Sequence, residues 1–379
     1  MNTYVASHLK DMNRQVVYRL IKELGTTSKV ELSKLTGISS PTVIKIVDYL
    51  ISKNLVLEIG EGESAVGRKP QLLTLNKHLM YTASFFIEGD HLMMGIVDIV
   101  GSVILRKELR VEPDINAILR RITDELLEPL LKEAGVPAKK LAGIGIALPC
   151  IYDAATRCVS SSPLIGVDST LFIGDLLDRL AEKYNVTVQV ENDTNAQALG
   201  EYQITREPPH SDLVFISIGT GLGAGIILDG KLRHGPHNTC GEIGSFAFLS
   251  QEGGLKRENS IERQIGSRLL EKRFGMVFDR SVQPDASLIG DIIDYIAPPL
   301  ASCINNIAAL LDCRTIVLGG IVSDVLGSRL ADRIQQELRN LSRFEYVFRR
   351  QTSPETGLVG ISSLITEQKI SDLLTSQSR

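Results

Sequence analysis

Leu213-Val214-Phe215-Ile216-Ser217-Ile218-Gly219-Thr220, followed by Gly225-Ile226-Ile227-Leu228-Asp229-Gly230, reads as an apolar strand, a tight polar turn and a second strand ending in Asp. The same pattern stands earlier, at Ala83-Ser84-Phe85-Phe86-Ile87-Glu88-Gly89-Asp90 and then Gly95-Ile96-Val97-Asp98. The two copies lie about half the length of the chain beyond Asn76 apart, which predicts two related lobes. Helical stretches are predicted at Ile115–Ala134 and Gly174–Tyr184, and again at Ile261–Phe274, Gly290–Leu311 and Ser323–Leu341. Strands joined by crossover helices imply an α/β fold with its ligand in the cleft.

Outward from that repeat, composition sets the bounds. A chain of 379 residues exceeds one core, and 43% hydrophobic with 23% charged residues argues against a disordered or fibrous protein. No uninterrupted apolar run approaches ~18 residues, so no membrane span is expected. Met1–Lys10 has no basic-then-apolar leader, which points to the cytosol. Cys150, Cys158, Cys240, Cys303 and Cys313 are odd in number and lack CxxC spacing, so neither a disulfide framework nor a cysteine zinc site is expected.

Residues 1–76 differ from the rest. They hold 10 Lys+Arg against 7 Asp+Glu, and the remainder holds 41−10=31 against 45−7=38. A mildly basic head on an acidic body suggests that the head meets a polyanion. Val16, Val17, Leu20, Ile21 and Leu24 mark one helix face, ended by Gly25. A short helix follows over Ser28–Leu35, with Ser28 as N-cap and Glu31 at capping-box spacing. After the Thr36-Gly37-Ile38 turn, a third helix runs from near Ser39 to about Lys53, with Ser39, Ser40, Thr42 and Lys45 outward at its start. Leu55–Ile59 and Leu72–Leu75 then form a hairpin, or wing, with Arg68 and Lys69 at its tip. Two helices around a Gly turn, the second opening with hydroxyl residues, fit the winged helix-turn-helix that reads the major groove of double-stranded DNA. Arg68 and Lys69 are suited to phosphate or minor-groove contact. The alternative is a three-helix module that meets proteins.

Several ordered motifs in the body carry a resemblance. Val190-Glu191-Asn192-Asp193-Thr194-Asn195-Ala196, Gly219-Thr220-Gly221-Leu222-Gly223-Ala224-Gly225, Gly241-Glu242-Ile243-Gly244 and Val317-Leu318-Gly319-Gly320 resemble the ROK family (repressor, open reading frame, kinase). The head, with Asn13-Arg14 and Gly67-Arg68-Lys69-Pro70, is similar to its repressor branch, which includes xylose and N-acetylglucosamine repressors. The resemblance implies a winged helix-turn-helix over 1–76 and, over 77–379, a two-lobe actin-like ATPase (ribonuclease H-like) domain. The lobes are expected at roughly 77–200 and 201–379, with a sugar between them. Asn13–Val17 and Gly60–Ser64 look similar to xylose repressors, so a pentose such as xylose is the first expectation for the effector.

In the family's kinases the Asp of the Glu-Asn-Asp motif accepts the proton of the sugar hydroxyl, and here that is Asp193. The second phosphate loop, with Gly219, Thr220, Gly221 and Gly223, is intact, and its glycines let backbone N–H groups approach an anion. The first loop departs: Phe86 stands for an Asp, Glu88 for a Gly and Asp90 for a Thr. Carboxylates facing ATP phosphates repel them. Asp193 and the second loop are therefore vestiges, and no phosphoryl transfer or cofactor is expected. The family's zinc motif is missing as well, with Ser245 for its His and no Cys over Gly253–Ser260. His234, His237 and Cys240 lie in a Gly/Pro loop and read as pocket lining, so no metal is expected. Asn192, Asp193, Glu242, Ser245 and Glu262 remain as sugar contacts implied by the resemblance, supplying paired acceptors and donors. The expected molecule is a homodimeric or dimer-of-dimers repressor of carbohydrate-utilisation genes that a sugar effector releases from operator DNA, with a sugar kinase bearing a DNA-binding head, or an activator or protein-binding scaffold, as the alternatives. Arg349-Arg350 reads as a solvated turn, and Ser371–Arg379 as a frayed polar tail.

Overall fold

The computed structural model describes residues 2–62, 69–247, 260–279 and 285–375. The chain opens with α1 (Asn2–Leu24), then β1 (Thr26–Ser28) and α2 (Lys29–Thr36). Ser28 caps α2, accepting from the Glu31 backbone N–H at 3.2 Å. The Glu31 carboxylate accepts from the Thr27 hydroxyl at 2.8 Å, fastening the start of α2 to the strand before it. Gly37 takes φ 70°, a conformation that costs a residue without Cβ nothing, and turns the chain into α3 (Ser40–Ser52). Strands β2 (Val56–Glu61) and β3 (Gln71–Leu75) form an antiparallel hairpin, and β1 pairs with the other edge of β3. Val17, Ile21, Leu32, Val43, Val47, Leu50 and Leu73 are buried together as the core of this head.

The first lobe follows with β4 (Tyr81–Glu88), β5 (His91–Asp98) and β6 (Val103–Arg110). Helix α4 (Ile115–Arg121) continues through one π turn into α5 (Leu127–Glu133). Then come β7 (Leu141–Leu148), a small sheet of β8 (Tyr152–Asp153), β9 (Cys158–Val159) and β10 (Leu171–Phe172), α6 (Gly174–Tyr184) and β11 (Thr187–Asn192). Helix α7 (Asp193–Ile204) leads to the second lobe, β12 (Leu213–Ile218), β13 (Leu222–Leu228) and β14 (Lys231–Leu232). Its helices and strands continue as α8 (Glu262–Ile265), α9 (Ser267–Phe274), α10 (Ala286–Leu311), β15 (Thr315–Gly319), α11 (Gly320–Leu326), α12 (Ser328–Leu341) and β16 (Val347–Arg350). The chain's last described helix is α13 (Thr356–Leu374).

The two large sheets have one topology. Their orders, β6-β5-β4-β7-β11 and β14-β13-β12-β15-β16, each join three antiparallel strands to two parallel ones. The two hairpins seen in the sequence are the equivalent pairs β4–β5 and β12–β13. Outer helices cover one face of each sheet, with separate cores around Phe85 and Ile146 in the first lobe and around Ile216 and Ile304 in the second. Helix α10 is long and apolar enough, by length and composition, to cross a membrane. Here Ile292, Ile296, Leu300, Ile304 and Ile307 along it are buried in the second-lobe core.

Helices α7 and α13 fill the space between the sheets. Leu358 and Ile361 of α13 pack with Phe86, Val97 and Ala147 of the first sheet, while Ala198 of α7 packs with Phe215, Ile227 and Val317 of the second. The two helices cross backbone to backbone. A Cβ on Gly200 would stand 1.8 Å from the Thr356 carbonyl oxygen, and one on Gly360 would stand 1.7 Å from that of Ala196.

Three expectations need correction. The second lobe does not run to the C-terminus, because α13 packs Leu358 and Ile361 on the first-lobe sheet. Ser371–Leu374 is the last turn of α13 rather than a frayed tail: Leu374 is 2% exposed and joins Ile370 in the core of the head, and residues beyond 375 lie outside the described ones. Arg349-Arg350 closes β16 rather than a turn, and Arg349 forms an ion pair with Glu207, which follows α7.

Gly360→Ala must push two backbones apart, so a loss of about 2–3 kcal/mol is expected. Urea unfolding checks it: the midpoint should fall with the slope unchanged.

Candidate functional site

The expected site residues fall on two surfaces. On the head, Ser39, Ser40 and Lys45 are exposed and Thr42 is half-buried at the start of α3. Pro41 lies in the first turn, where its missing N–H leaves no helix bond unmade. The hydroxyls pair among themselves, Ser39 Oγ with Thr42 Oγ1 at 2.9 Å and Ser40 Oγ with Ser33 Oγ at 3.2 Å. Such pairs are free to turn toward an incoming acceptor. Lys69 is exposed where the hairpin returns, and Arg68 lies outside the described residues.

The second surface is the cleft where β11 passes into α7. Asn192 is the N-cap: its Oδ1 accepts from the backbone N–H groups of Thr194 at 2.9 Å and Asn195 at 3.1 Å. Its Nδ2 donates to the Cys150 carbonyl at 3.3 Å. The carbonyl oxygen is thus occupied, and what Asn192 offers a ligand is its remaining amide hydrogen. Asp193, the first residue of α7, accepts from the Thr194 N–H at 2.8 Å. Its side chain is half-buried by surface area, yet the atoms around the carboxyl are dense enough that desolvation dominates, pushing it up to about 7; Glu88 and Glu242 push the same way. Glu242 is exposed by surface area, yet the atoms crowded around its carboxyl and then neighbouring Glu262 raise it as well. Burial raises the Cys150 thiol, with Asp193 and Glu242 adding to the effect.

Asn192, Asp193, Glu242 and Glu262 therefore come together, joined by Glu88 and Cys150. Ser245 is exposed at the end of the short 3-10 turn Ile243–Ser245 that Glu242 precedes. Gly244 of that turn packs on Glu262: a Cβ there would stand 3.1 Å from the Glu262 Cβ. Asp90, expected beside Glu88 in the cleft, turns outward and lies 3.4 Å from His91 and 3.8 Å from Arg110. Phe86 is 1% exposed in the packing of α13, and a Cβ on Gly357 would fall 2.2 Å from its ring.

The loop with Gly219, Thr220, Gly221 and Gly223 joins β12 to β13. Its Gly219 N–H donates to the Gly221 carbonyl at 2.9 Å, and the Leu222 N–H donates to Glu262 Oε1 at 3.3 Å. A carboxylate of the chain itself thus sits against the glycines, 2.6 Å from where a Cβ on Gly221 would be. His234 Nε2 lies 2.7 Å from Glu191 Oε2, an ion pair whose hydrogen bond raises the His234 pKa. Glu191, Asn195 and Cys150 complete this neighbourhood. Glu191 and Asn195 stand inside the Glu-Asn-Asp-Thr-Asn motif, whose spacing around a strand end is the signal that could have found them. Among the described residues no group of three or more His, Cys, Asp or Glu side chains is placed to hold a metal ion.

Residues 86–368 match the sequence model of the ROK family. A xylose repressor from Caldicellulosiruptor bescii is 33% identical over 246 residues, 64% of this chain and 60% of that protein. The chain thus spans about three fifths of the length of the curated relatives it matches first. A crystal structure of a ROK family transcriptional regulator, a homolog of the E. coli MLC protein, superposes with a TM-score of 0.75 at 23% identity, covering 97% of this chain and 98% of that one. That likeness in fold extends over head and body together. A ROK family glucokinase from Streptomyces griseus, in complex with glucose and AMPPNP, gives 0.61 at 24% identity over 75% of this chain and 98% of that one.

The raised Asp193 pKa has a consequence for stability. A carboxyl protonated more readily in the folded than in the unfolded chain stabilises at low pH, and that stability is lost as pH rises from about 4 through about 7. Asp193→Asn escapes the loss. Without ligand it should melt like the parent at pH 4 and be more stable at pH 8, by on the order of 1–3 kcal/mol. Thermal unfolding across that range checks both the sign and the window.

Proposed function

The chain belongs to the ROK family, and from that premise we propose that it is a sugar-responsive transcriptional repressor of carbohydrate-utilisation genes. One observation carries this reading: a single helix, α7, begins in the carboxylate-lined cleft and ends against the head. Gln203, near its last turn, accepts from Lys22 of α1 at 2.8 Å, and Arg206 donates to the Glu23 carbonyl at 3.4 Å. Gln203 also donates to Glu367 of α13 at 2.8 Å. At the far end of α13, the carbonyls of Leu373 and Leu374 accept from Tyr49 at 2.7 Å and Arg14 at 3.0 Å. Movement at the cleft has a hydrogen-bonded route to the head.

On this reading the head is a winged helix-turn-helix. Ser39, Ser40, Thr42 and Lys45 of α3 face the major groove, and Arg68 and Lys69 of the wing meet phosphates or the minor groove. A homodimer sets the spacing of two half-sites in a pseudo-palindromic operator, and the protein works in the cytosol where that DNA lies. The effector is a monosaccharide held by Asn192, Asp193, Glu242, Ser245 and Glu262, with xylose first in line because several related proteins are named xylose repressors. It releases the operator by binding better to the closed cleft than to the form in which the heads fit DNA.

A second reading, an ATP-dependent sugar kinase with an added head, has Asp193 and the glycine loop in its favour. Phe86 in the core, Glu88 beside Asp193 and Glu262 on the Leu222 N–H oppose it, since each stands where phosphate or metal would need room or positive charge. No phosphoryl transfer is therefore proposed.

Fluorescence anisotropy on the protein's own promoter DNA, with a panel of monosaccharides, tests the reading. Binding should weaken steeply with salt and be released by one sugar; sugar-insensitive binding, or turnover of ATP with a sugar, would sink it. Arg68→Ala should weaken operator binding by about tenfold while leaving sugar affinity alone, which paired anisotropy and calorimetry would check. Gln203→Leu should keep both affinities within about threefold yet cut the sugar-dependent change in operator affinity, and by linkage the operator-dependent change in sugar affinity.

A further inference from the structure

Glu191 and His234 hold no role in the reading above, yet they join the two lobes beside the cleft. Glu191 is the penultimate residue of β11, 9% exposed and paired in register with Ala147 of β7, so it belongs to the first sheet. His234 follows β14. Its loop is tied to β13 at both ends, by the Arg233 N–H to the Ile226 carbonyl at 2.9 Å and the Ala224 N–H to the Gly241 carbonyl at 2.8 Å. The Cys240 N–H closes the loop on the carbonyl of His234 itself at 3.1 Å. His234 thus moves with the second lobe, and the loop it begins ends at Glu242.

The contact between them is direct, with Nε2 of the imidazole 2.7 Å from Oε2 of the carboxylate. The other oxygen, Oε1, accepts from the Asn192 backbone N–H and from the Asn195 side-chain amide, both at 2.9 Å. Asn195 in turn donates its backbone N–H to the Asn192 side chain. Glu191 therefore orients the residues at the start of α7 with one oxygen, while the other reaches across to the opposite lobe. A carboxylate with 11% of its side chain exposed has little water to replace a lost partner. Without His234, Oε2 is left bare, and a rotation to recover solvent pulls Oε1 away from Asn192 and Asn195. The imidazole is 42% exposed and tolerates the ionised state that the carboxylate favours.

We propose that His234 and Glu191 are a positioning pair for the effector: they hold the Glu242 loop of one lobe against Asn192 and Asp193 of the other at the spacing a bound sugar bridges. The pair does not touch the ligand; it acts through the residues that do. The proposal rests on the reading of the cleft as a sugar site.

Calorimetry on the full chain tests it, with D-xylose, D-glucose and N-acetyl-D-glucosamine as probes and the tightest of the three for the parent carried through the variants. His234→Ala and Glu191→Gln should each weaken that sugar by about tenfold, and the double variant should be no weaker than the worse single one. His234→Gln should restore most of the affinity, because the glutamine amide can donate to Glu191 from where Nε2 stood. Melting temperatures of His234→Ala and His234→Gln should stay close to the parent's. Parent-like affinity in His234→Ala, additive losses, or a loss that tracks melting temperature and is not regained by His234→Gln would each overturn the proposal while leaving the sugar site intact. Failure of the parent to bind any of the three sugars would overturn the sugar reading, and the proposal with it.

Discussion

The crossing of α7 and α13 at Gly200 and Gly360 is the contact on which the other parts depend. Each helix covers one sheet, and each can do so only because neither puts a side chain between the two backbones. Close packing of this kind transmits displacement, since a dense interior shifts as a unit or not at all. The pair also ends in chemically different places. The first turn of α7 carries Asn192 and Asp193, its last turn bears on α1 through Gln203, and the last turn of α13 enters the core of the head.

Charge shapes the cleft as packing shapes its walls. Glu88, Asp193, Glu242 and Glu262 crowd one region, and the cost appears as the raised pKa values of Asp193 and Glu242. A ligand rich in hydroxyls relieves that cost by donating hydrogen bonds, whereas a phosphate adds to it. Glu262 on the Leu222 N–H repeats the theme, setting a carboxylate of the chain itself against the glycine loop. Phe86 bounds the region from the apolar side, its ring buried against Gly357 of α13.

Side-chain roles were the least legible part. Asn192 reads from its motif as a sugar contact with both donor and acceptor to give, yet much of it is spent on capping α7 and bonding Cys150. Asp90 has the right position in its hairpin to face the cleft, and the nearby His91 and Arg110 draw it away. His234 reads as loop lining, and only the approach of the two lobes gives it a partner 43 residues earlier in the chain. The partners that decide these roles include ones far along the chain: Cys150 for Asn192, Arg110 for Asp90 and Glu191 for His234.

The strands and outer helices announce themselves locally, because an element with one wet and one dry face leaves a period in its sequence. Thus the two hairpins, α6 from Gly174 to Tyr184, the Ser28 cap and the Gly37 turn were all determined by the residues alone. Expected single helices at 261–274 and 323–341 were broken at Gly266 and Gly327, where a backbone change rather than a hydrophobic pattern sets the boundary. Helices α7 and α13 left no such period: from Thr194 to Ala198, and from Thr356 to Ser363, every residue is buried. A helix enclosed on all sides has no polar face to contrast with, so its place between the sheets, and the link it makes from cleft to head, was decided by tertiary packing.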